Sequence, residues 1–167
     1  MKHLYFCRHG ESEMNVLMQY AGQVDTPLTD RGREQAALAG NHADTLGLDL
    51  VVSSPLVRAL ETAQIIAAEA NYPVDKIITN QLFMERSYGS LAGKSYEVPQ
   101  DWANYPDIET DDALMARVRA ALDYLHTLDA DTILVVSHGD FGTMLRTALE
   151  PKMTYAELPN AQIVQLI

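Results

Sequence analysis

Apolar runs alternate with longer helical patterns along this chain, and the alternation predicts an α/β fold. The runs typical of strands are residues 3–7, 49–53, 74–79, 132–137 and 162–167. Parallel strands need a crossover connection between them, and the helix-length segments here supply it. We therefore predict a three-layer α/β/α sandwich around a mainly parallel sheet. A single domain is expected to span residues 1–167.

The segments between the strands have apolar residues at helical spacing. They cover residues 29–44, 56–70, 114–128 and 139–149. Thr29 is the expected N-cap of the first helix, and Pro55 stands near the first turn of the second. Asp111 or Asp112 is the expected N-cap of the third. Residues 83–112 are less regular and contain several Gly and Pro residues, so we predict a short insertion over the rim of the sheet, a candidate lid.

Composition narrows the classes of protein. The 167 residues carry a formal net charge of −11, which argues against nucleic acid or an anionic membrane surface as a partner. No apolar run approaches the roughly 20 residues of a membrane helix, and no signal peptide is expected. The one cysteine, Cys7, precludes an internal disulfide, so we expect a cytoplasmic protein. The oligomeric state is not predicted.

Two histidines follow apolar strands at the point where each strand ends. His9 stands in the string Arg8-His9-Gly10, and His138 stands between Ser137 and Gly139. The carboxyl-end rim of an open α/β sheet is where ligands bind, so we expect the two imidazoles to meet there. With an arginine beside one of them, they indicate a site for an anionic, electrophilic group, and phosphate fits best.

Two further residues extend this site. Arg58 is expected in the first turn of the second helix, where its side chain can reach the same rim and the helix N-terminus also favours anions. A neutral His9 can attack phosphorus and form a phosphoenzyme, and Arg8 can neutralise phosphate oxygens. Glu85 lies in the candidate lid. If burial raises its pKa, it can protonate a leaving oxygen.

These strings, in this order, resemble the histidine phosphatase superfamily, which has the phosphoglycerate mutase-like fold. The resemblance spans nearly the whole chain and includes residues 8–12 with Asn15, 27–32, 54–63, the Glu85 block and 137–139. It implies that His9 is the phosphorylated nucleophile, that Glu85 is the proton donor and that no metal or other cofactor is needed. It also implies a phosphate pocket of Arg8, Arg58 and the catalytic His138, with Asn15 as an auxiliary contact.

Two stretches depart from the family pattern. Asp140 follows Gly139, where many members have another glycine, and residues 22–25 occupy a stretch that often contacts substrate. Both departures leave the chemistry intact and affect specificity. Other phosphoryl chemistries lack their motifs: there is no Gly-rich phosphate loop, and Glu13 stands where a tyrosine phosphatase built on Cys7 needs arginine. The remaining histidines have no metal-ligand spacing, and we expect no metal site.

Three functions remain open: a phosphomonoester phosphatase, a phosphoglycerate mutase and a non-catalytic phosphate-binding protein. Because the candidate catalytic residues are all present, a binder is disfavoured. The segment 87–112 has one basic residue, Lys94, against six acidic residues, which favours a phosphatase over a mutase that must hold a bisphosphate. We expect a phosphorylated small molecule rather than a protein as substrate. Tyr96, Trp102 and Tyr105 can either stack on its leaving group or pack the lid.

Overall fold

The protein is built around one five-stranded sheet. The computed structural model describes residues 1–97, 104–152 and 158–167. The spatial order of the strands is β3-β2-β4-β1-β5, and their bounds are β1 His3–Arg8, β2 Leu50–Ser53, β3 Ile78–Thr79, β4 Thr132–Ser137 and β5 Ile163–Gln165. Strands β1 to β4 pair in parallel, and β5 pairs antiparallel with β1. The predicted α/β fold with a mainly parallel sheet is confirmed.

Five helices accompany the described strands: α1 Glu13–Val16, α2 Asp30–Ala43, α3 Val57–Glu69, α4 Asp111–Thr127 and α5 Gly139–Leu149. The Thr29 hydroxyl caps α2 by accepting a bond from the Gly32 N–H, as predicted. The predicted cap of α4 by Asp111 or Asp112 is wrong. Thr110 takes that position, and its hydroxyl accepts from the Ala113 N–H. The two aspartates lie in the first turn, where their negative charge interacts favourably with the helix dipole.

The helices cover both faces of the sheet. Along β4 every residue is buried, and successive side chains enter opposite layers. Ile133 and Val135 pack in a cluster with α4 and α5. Leu134 and Val136 pack in a second cluster with α2 and α3. A strand buried on both faces needs an unbroken apolar run, which is what made β4 recognisable in the sequence. Among the described residues, no helix combines the length and apolarity needed to cross a membrane.

The edge strands are shorter than the sequence predicts. Of the predicted strand 74–79, only Ile78–Thr79 pairs with β2, because Val74–Lys76 forms a 3₁₀ turn directly after Pro73. The last strand is Ile163–Gln165 rather than 162–167. An edge strand pairs on one side only. Its apolar residues therefore predict the length of the strand less well than those of a central strand do.

The candidate lid, residues 83–112, is tied to the loop that follows α1. Tyr20 donates its N–H to the Lys94 carbonyl at 2.9 Å, and Tyr96 donates its N–H to the Met18 carbonyl at 2.8 Å. Tyr20, Leu91 and Ile108 form a small apolar cluster beneath this pairing. The first half of the segment is therefore held beside the carboxyl ends of β1 and β4.

A close backbone approach fixes the turn after β1. Gly10 donates its N–H to the Thr62 hydroxyl at 3.0 Å, and a Cβ atom at Gly10 would collide with the carbonyl of Gly32 in the first turn of α2. Only a glycine allows the two main chains to come this close. The contact holds the backbone of His9 between α2 and α3.

Candidate active site

A cleft of about 320 Å³ opens at the carboxyl ends of the central strands. Five of the six predicted site residues line it, and the sixth, His138, lies beneath it with its ring centroid 5.2 Å from that of His9. The structure thus brings all six together. The cleft is lined by Arg8, His9, Asn15, Tyr20, Ala21, Gly22, Arg58, Glu85, Tyr88, Tyr96, Gly139 and Asp140.

Hydrogen bonds fix the tautomer of His9. Its Nδ1 lies 2.7 Å from the Gly10 carbonyl oxygen, which can only accept a hydrogen bond, so Nδ1 carries the proton. Arg58 Nε, which can only donate, lies 3.1 Å from the Nε2 atom of His9. The lone pair is therefore on Nε2. Burial lowers the pKa of His9 well below its ordinary value, and the charges of Arg58 and Arg8 lower it further. The ring is a neutral nucleophile.

Arg58 is held by backbone carbonyls. Its Nη2 donates to Gly22 at 2.7 Å and its Nη1 to Val24 at 2.9 Å, which leaves Nε for His9. Only 1% of the residue is exposed. Burial lowers the pKa of Arg58 to about 10, so the guanidinium stays charged near neutral pH. A buried, immobilised cation beside the His9 nucleophile is suited to a phosphate dianion.

Arg8 and Asn15 also line the cleft. Arg8 donates through Nη1 to the Leu158 carbonyl at 2.9 Å. Asn15 closes a capping box at the start of α1, where its Oδ1 accepts from the N–H and the hydroxyl of Ser12. Because Oδ1 is occupied in this way, the amide nitrogen of Asn15 is the group it can offer to an anion in the cleft.

His138 is fully buried at the N-terminus of α5. Its Nε2 lies 2.8 Å from the Ser54 hydroxyl oxygen, which already accepts from the Leu56 N–H. If the Ser54 proton goes to Nε2, the ring proton of His138 is on Nδ1, and Nδ1 has no hydrogen-bond partner among the described residues. Burial, then the charge of Arg58, lowers the pKa of His138. In that tautomer His138 is a neutral donor with one unused N–H.

Glu85 caps a helix that lacks a side-chain cap of its own. Its Oε1 accepts from the Arg86 and Phe141 N–H groups at 2.9 and 3.1 Å, and its Oε2 accepts from the Asp140 N–H at 3.2 Å. These bonds favour the ionised form. Burial and the charge of Asp140 outweigh them and raise the pKa of Glu85. A protonated carboxyl group at the cleft wall can act as a general acid.

An acidic and aromatic wall faces these groups. Asp140 accepts from Arg86 Nε at 2.8 Å and from the Tyr88 hydroxyl at 2.7 Å. The Tyr20 ring lies 5.0 Å from that of Tyr88 and 4.8 Å from that of Tyr96. Of the stacking residues predicted from the sequence, Tyr96 lines the cleft, Tyr105 lies under the Lys94 amine at 5.0 Å, and Trp102 lies outside the described residues.

Several contributors escaped the sequence analysis. The carbonyls of Gly22 and Val24 act through the main chain, which no motif encodes. Asn160 bonds the His9 carbonyl at 2.9 Å from the far end of the chain. Ser54 belongs to the stretch 54–63 that resembles the family, and its bond to His138 is consistent with the strand-end position of both residues. The described residues contain no cluster of three His, Cys, Asp or Glu side chains able to hold a metal ion.

With the fold and the site described, comparison with known proteins identifies the family of this chain. The chain belongs to the histidine phosphatase superfamily (branch 1), whose family model matches residues 4–166. A Bacillus subtilis (strain 168) relative named uncharacterized phosphatase PhoE is 31% identical, over 92% of this chain and 82% of that protein. A 2,3-bisphosphoglycerate-dependent phosphoglycerate mutase of Bartonella quintana (strain Toulouse) is 32% identical, over 88% of this chain and 81% of that protein.

Solved structures agree on the fold. A mycobacterial glucosyl-3-phosphoglycerate phosphatase in complex with VO₃ superimposes with a TM-score of 0.85. The match covers 99% of this chain and 92% of that one at 24% sequence identity. At this identity the likeness establishes the architecture. Because the relatives' names include both phosphatases and mutases, they leave the choice between these two activities open.

The tautomer of His9 can be tested directly. We expect nitrogen NMR shifts to show His9 as the neutral Nδ1–H form at pH 6.5, since burial and two arginines lower its pKa below that ordinary value. The Arg58→Met change removes the nearer charge and should raise the pKa of His9. Arg119→Met, on the exposed face of α4, is the control and should leave it in place. A protonated His9 at pH 6.5 in the unchanged protein would contradict the assignment.

Proposed function

We propose that this protein is a metal-independent phosphatase that hydrolyses small phosphomonoesters through a phosphohistidine. The observation that carries the proposal is the Nε2 lone pair of His9, fixed inside a cleft between Arg58 and Arg8. A cleft of about 320 Å³ suits a small molecule. A cytoplasmic setting is part of the proposal, because the single cysteine, Cys7, is buried as a free thiol.

The first half of the reaction transfers the phosphoryl group to the protein. His9 Nε2 forms a bond to phosphorus while the bond from phosphorus to the ester oxygen breaks. Glu85 gives its proton to the departing oxygen, so the alcohol leaves neutral. Arg8 and Arg58 hold the nonbridging oxygens, where the transition state concentrates charge. The Nδ1–H bond from His9 to Gly10 stabilises the positive charge on the phosphorylated ring.

The second half returns the site to its starting state. The Glu85 carboxylate takes a proton from water, the water oxygen bonds to phosphorus, and the bond from phosphorus to His9 breaks. Inorganic phosphate leaves. Glu85 therefore serves as acid and then as base, and its raised pKa favours the protonated form that the first half requires. His138 donates to the phosphoryl oxygens in both halves.

The distribution of cations supports hydrolysis over mutase chemistry. A mutase must hold a second anionic group, whereas among the described residues the only Arg or Lys side chains lining the cleft are Arg8 and Arg58. Arg86 is paired with Asp140 and Asp111, and Lys94 lies over the Tyr105 ring. Phosphoglycerate mutase activity is the second candidate, because relatives with that name are 32% identical to this chain.

We expect a phosphoenzyme to form on His9. Rapid quench with a ³²P-labelled monoester should trap protein-bound phosphate that is labile to acid and stable to base. His9→Ala should abolish both the trapped phosphate and turnover, while His126→Ala, at an exposed position on α4, is the control and should retain both. Full turnover by His9→Ala would refute the assignment. Conversion of 3-phosphoglycerate to 2-phosphoglycerate without phosphate release would favour the mutase.

Activity should not depend on a divalent metal. The two arginines can balance a phosphate dianion, which is the task a cation performs in other phosphatases. Exhaustive EDTA treatment followed by gel filtration should leave the rate within about a factor of two, since no step of the proposed cycle uses a metal. A rate that collapses and returns with Mg²⁺ or Mn²⁺ would contradict the proposal.

The role of Glu85 predicts a dependence on the leaving group. Glu85→Gln keeps one acceptor oxygen at the start of α5 and removes the proton donor. General acid catalysis contributes roughly 10²–10⁴-fold, so hydrolysis of an alkyl phosphate should fall by that order. An activated aryl ester such as p-nitrophenyl phosphate should be affected much less at the phosphorylation step, because nitrophenolate leaves without a proton.

The phosphorylation step must be measured by burst kinetics, since slow hydrolysis of the phosphohistidine would mask the difference between the two substrates at steady state. Glu61→Gln, on the outer side of α3, is the matched control; its carboxylate pairs with Arg33 at 2.6 Å and does not line the cleft. Equal losses on both substrates would indicate an electrostatic or structural role for Glu85 instead.

A further inference from the structure

Asp140 lines the cleft and has one carboxylate oxygen without a hydrogen bond among the described residues. Its Oδ2 accepts two hydrogen bonds, from Arg86 Nε at 2.8 Å and from the Tyr88 hydroxyl at 2.7 Å. Its Oδ1 receives no hydrogen bond from the described part of the chain. In total, 37% of the side chain is exposed to solvent. An ionised carboxylate with one oxygen free is an acceptor only.

The carboxylate is held firmly in place. Arg86, with only 5% of its side chain exposed, also pairs with Asp111 at 2.8 Å and donates to the Glu109 carbonyl at 2.9 Å. The Tyr88 ring packs against Tyr20. The main chain of Asp140 is fixed as well, because its N–H bonds to Glu85. A side chain anchored from both ends can select among ligands without reorganising.

Asp140 lies on the side of the cleft where the proton donor is found. The Asp140 N–H bond to Glu85 Oε2 puts it next to the group that protonates the ester oxygen, and hence next to the alcohol part of the substrate. The two cations of the cleft are committed to the phosphate. The alcohol therefore meets an acceptor and a negative charge, with tyrosine rings on the remaining wall.

Resting on the proposed function, we propose that Asp140 determines specificity for the alcohol part of the substrate. Its Oδ1 accepts a bond from a hydroxyl of an uncharged, hydroxylated alcohol, and its charge disfavours alcohols that carry a carboxylate or a second phosphate. The aromatic wall of Tyr20, Tyr88 and Tyr96 packs against the carbon skeleton of the same alcohol. Selection thus combines one attractive and one repulsive element.

A matched pair of substrates isolates this effect. Glycerol 3-phosphate and 3-phosphoglycerate are both primary phosphate esters with a hydroxyl on the neighbouring carbon. They differ only at the last carbon, which is a hydroxymethyl group in one and a carboxylate in the other. The readout is the ratio of their kcat/KM values for phosphate release. Changes in the acidity of Glu85 affect both esters alike and cancel in the ratio.

The wild-type protein should favour glycerol 3-phosphate by at least about tenfold, a modest effect for two like charges within several ångströms of each other. In Asp140→Asn the amide oxygen must take the place of Oδ2 to accept from Arg86 and Tyr88. The NH₂ group then faces the cleft, where it can donate to a carboxylate. We expect the ratio to move about tenfold or more toward 3-phosphoglycerate.

Asp111→Asn is the matched control. It makes the same charge change and removes the other carboxylate partner of Arg86, at a residue that does not line the cleft. Its ratio should stay within about twofold of the wild-type value, because the change lies on the solvent side of the network. Thermal melts followed by circular dichroism check that both variants are folded.

The outcomes separate this inference from the proposed function. Hydrolysis of both esters with the same ratio in wild type and Asp140→Asn overturns the inference and leaves the phosphatase standing. An equal shift in Asp111→Asn also overturns it, since a general charge effect then suffices. A protein that hydrolyses no monoester overturns both. If Asp140→Asn does not fold, the test is the ratio of the two kcat/KM values in the wild-type protein. A preference for 3-phosphoglycerate then overturns the inference.

Discussion

The site depends on a buried guanidinium that touches no carboxylate among the described residues. Arg58 is bonded to two backbone carbonyls and to the His9 nucleophile. Burying an unpaired charge costs several kcal/mol, and the carbonyl dipoles of Gly22 and Val24 offset only part of that cost. Glu85 and Asp25 add a longer-range attraction, and in the proposed function a phosphate bound beside His9 supplies the remaining stabilisation. Three elements therefore meet at this buried charge: the loop that carries the two carbonyls, the first turn of α3 and the end of β1.

Two helices that begin at the cleft, α3 and α5, are capped by carboxylates from other parts of the chain. The N-terminus of α3 has no side-chain cap of its own, and Asp25 accepts from the Val57 N–H at 2.9 Å. Glu85 serves α5 in the same way. This placement gives Glu85 two opposed influences on its pKa, since burial favours the protonated acid and the helix N–H groups favour the carboxylate. Burial is the larger influence and raises the pKa of Glu85, which favours the protonated form that a general acid needs in the proposed cycle.

The sequence predicts the centre of this fold and site better than the periphery. Strands β1 and β4 are buried on both faces, so their apolar runs are unambiguous, and the histidines at their ends follow directly. The predicted strand 74–79 is mostly a 3₁₀ turn, because an edge position imposes little hydrophobic pattern. The N-cap of α4 was predicted wrongly because three adjacent residues, Thr110, Asp111 and Asp112, are all chemically able to cap a helix. The bonds from Arg58 to the carbonyls of Gly22 and Val24 were not predicted. Every residue has a main-chain carbonyl, so the residue type does not indicate which carbonyls bind a side chain.

Charge balance links the acid–base state of the site to its selectivity. Burial and the two arginines lower the pKa of His9, so the imidazole adds nucleophilicity and no charge. Arg8 and Arg58 then contribute two positive charges, which match one phosphate dianion. In the proposed function, a substrate with a further anionic group brings a charge that this part of the cleft cannot neutralise, and it brings that charge toward Asp140. The same low-dielectric burial that keeps His9 a nucleophile makes this mismatch costly, because like charges repel more strongly where water is excluded.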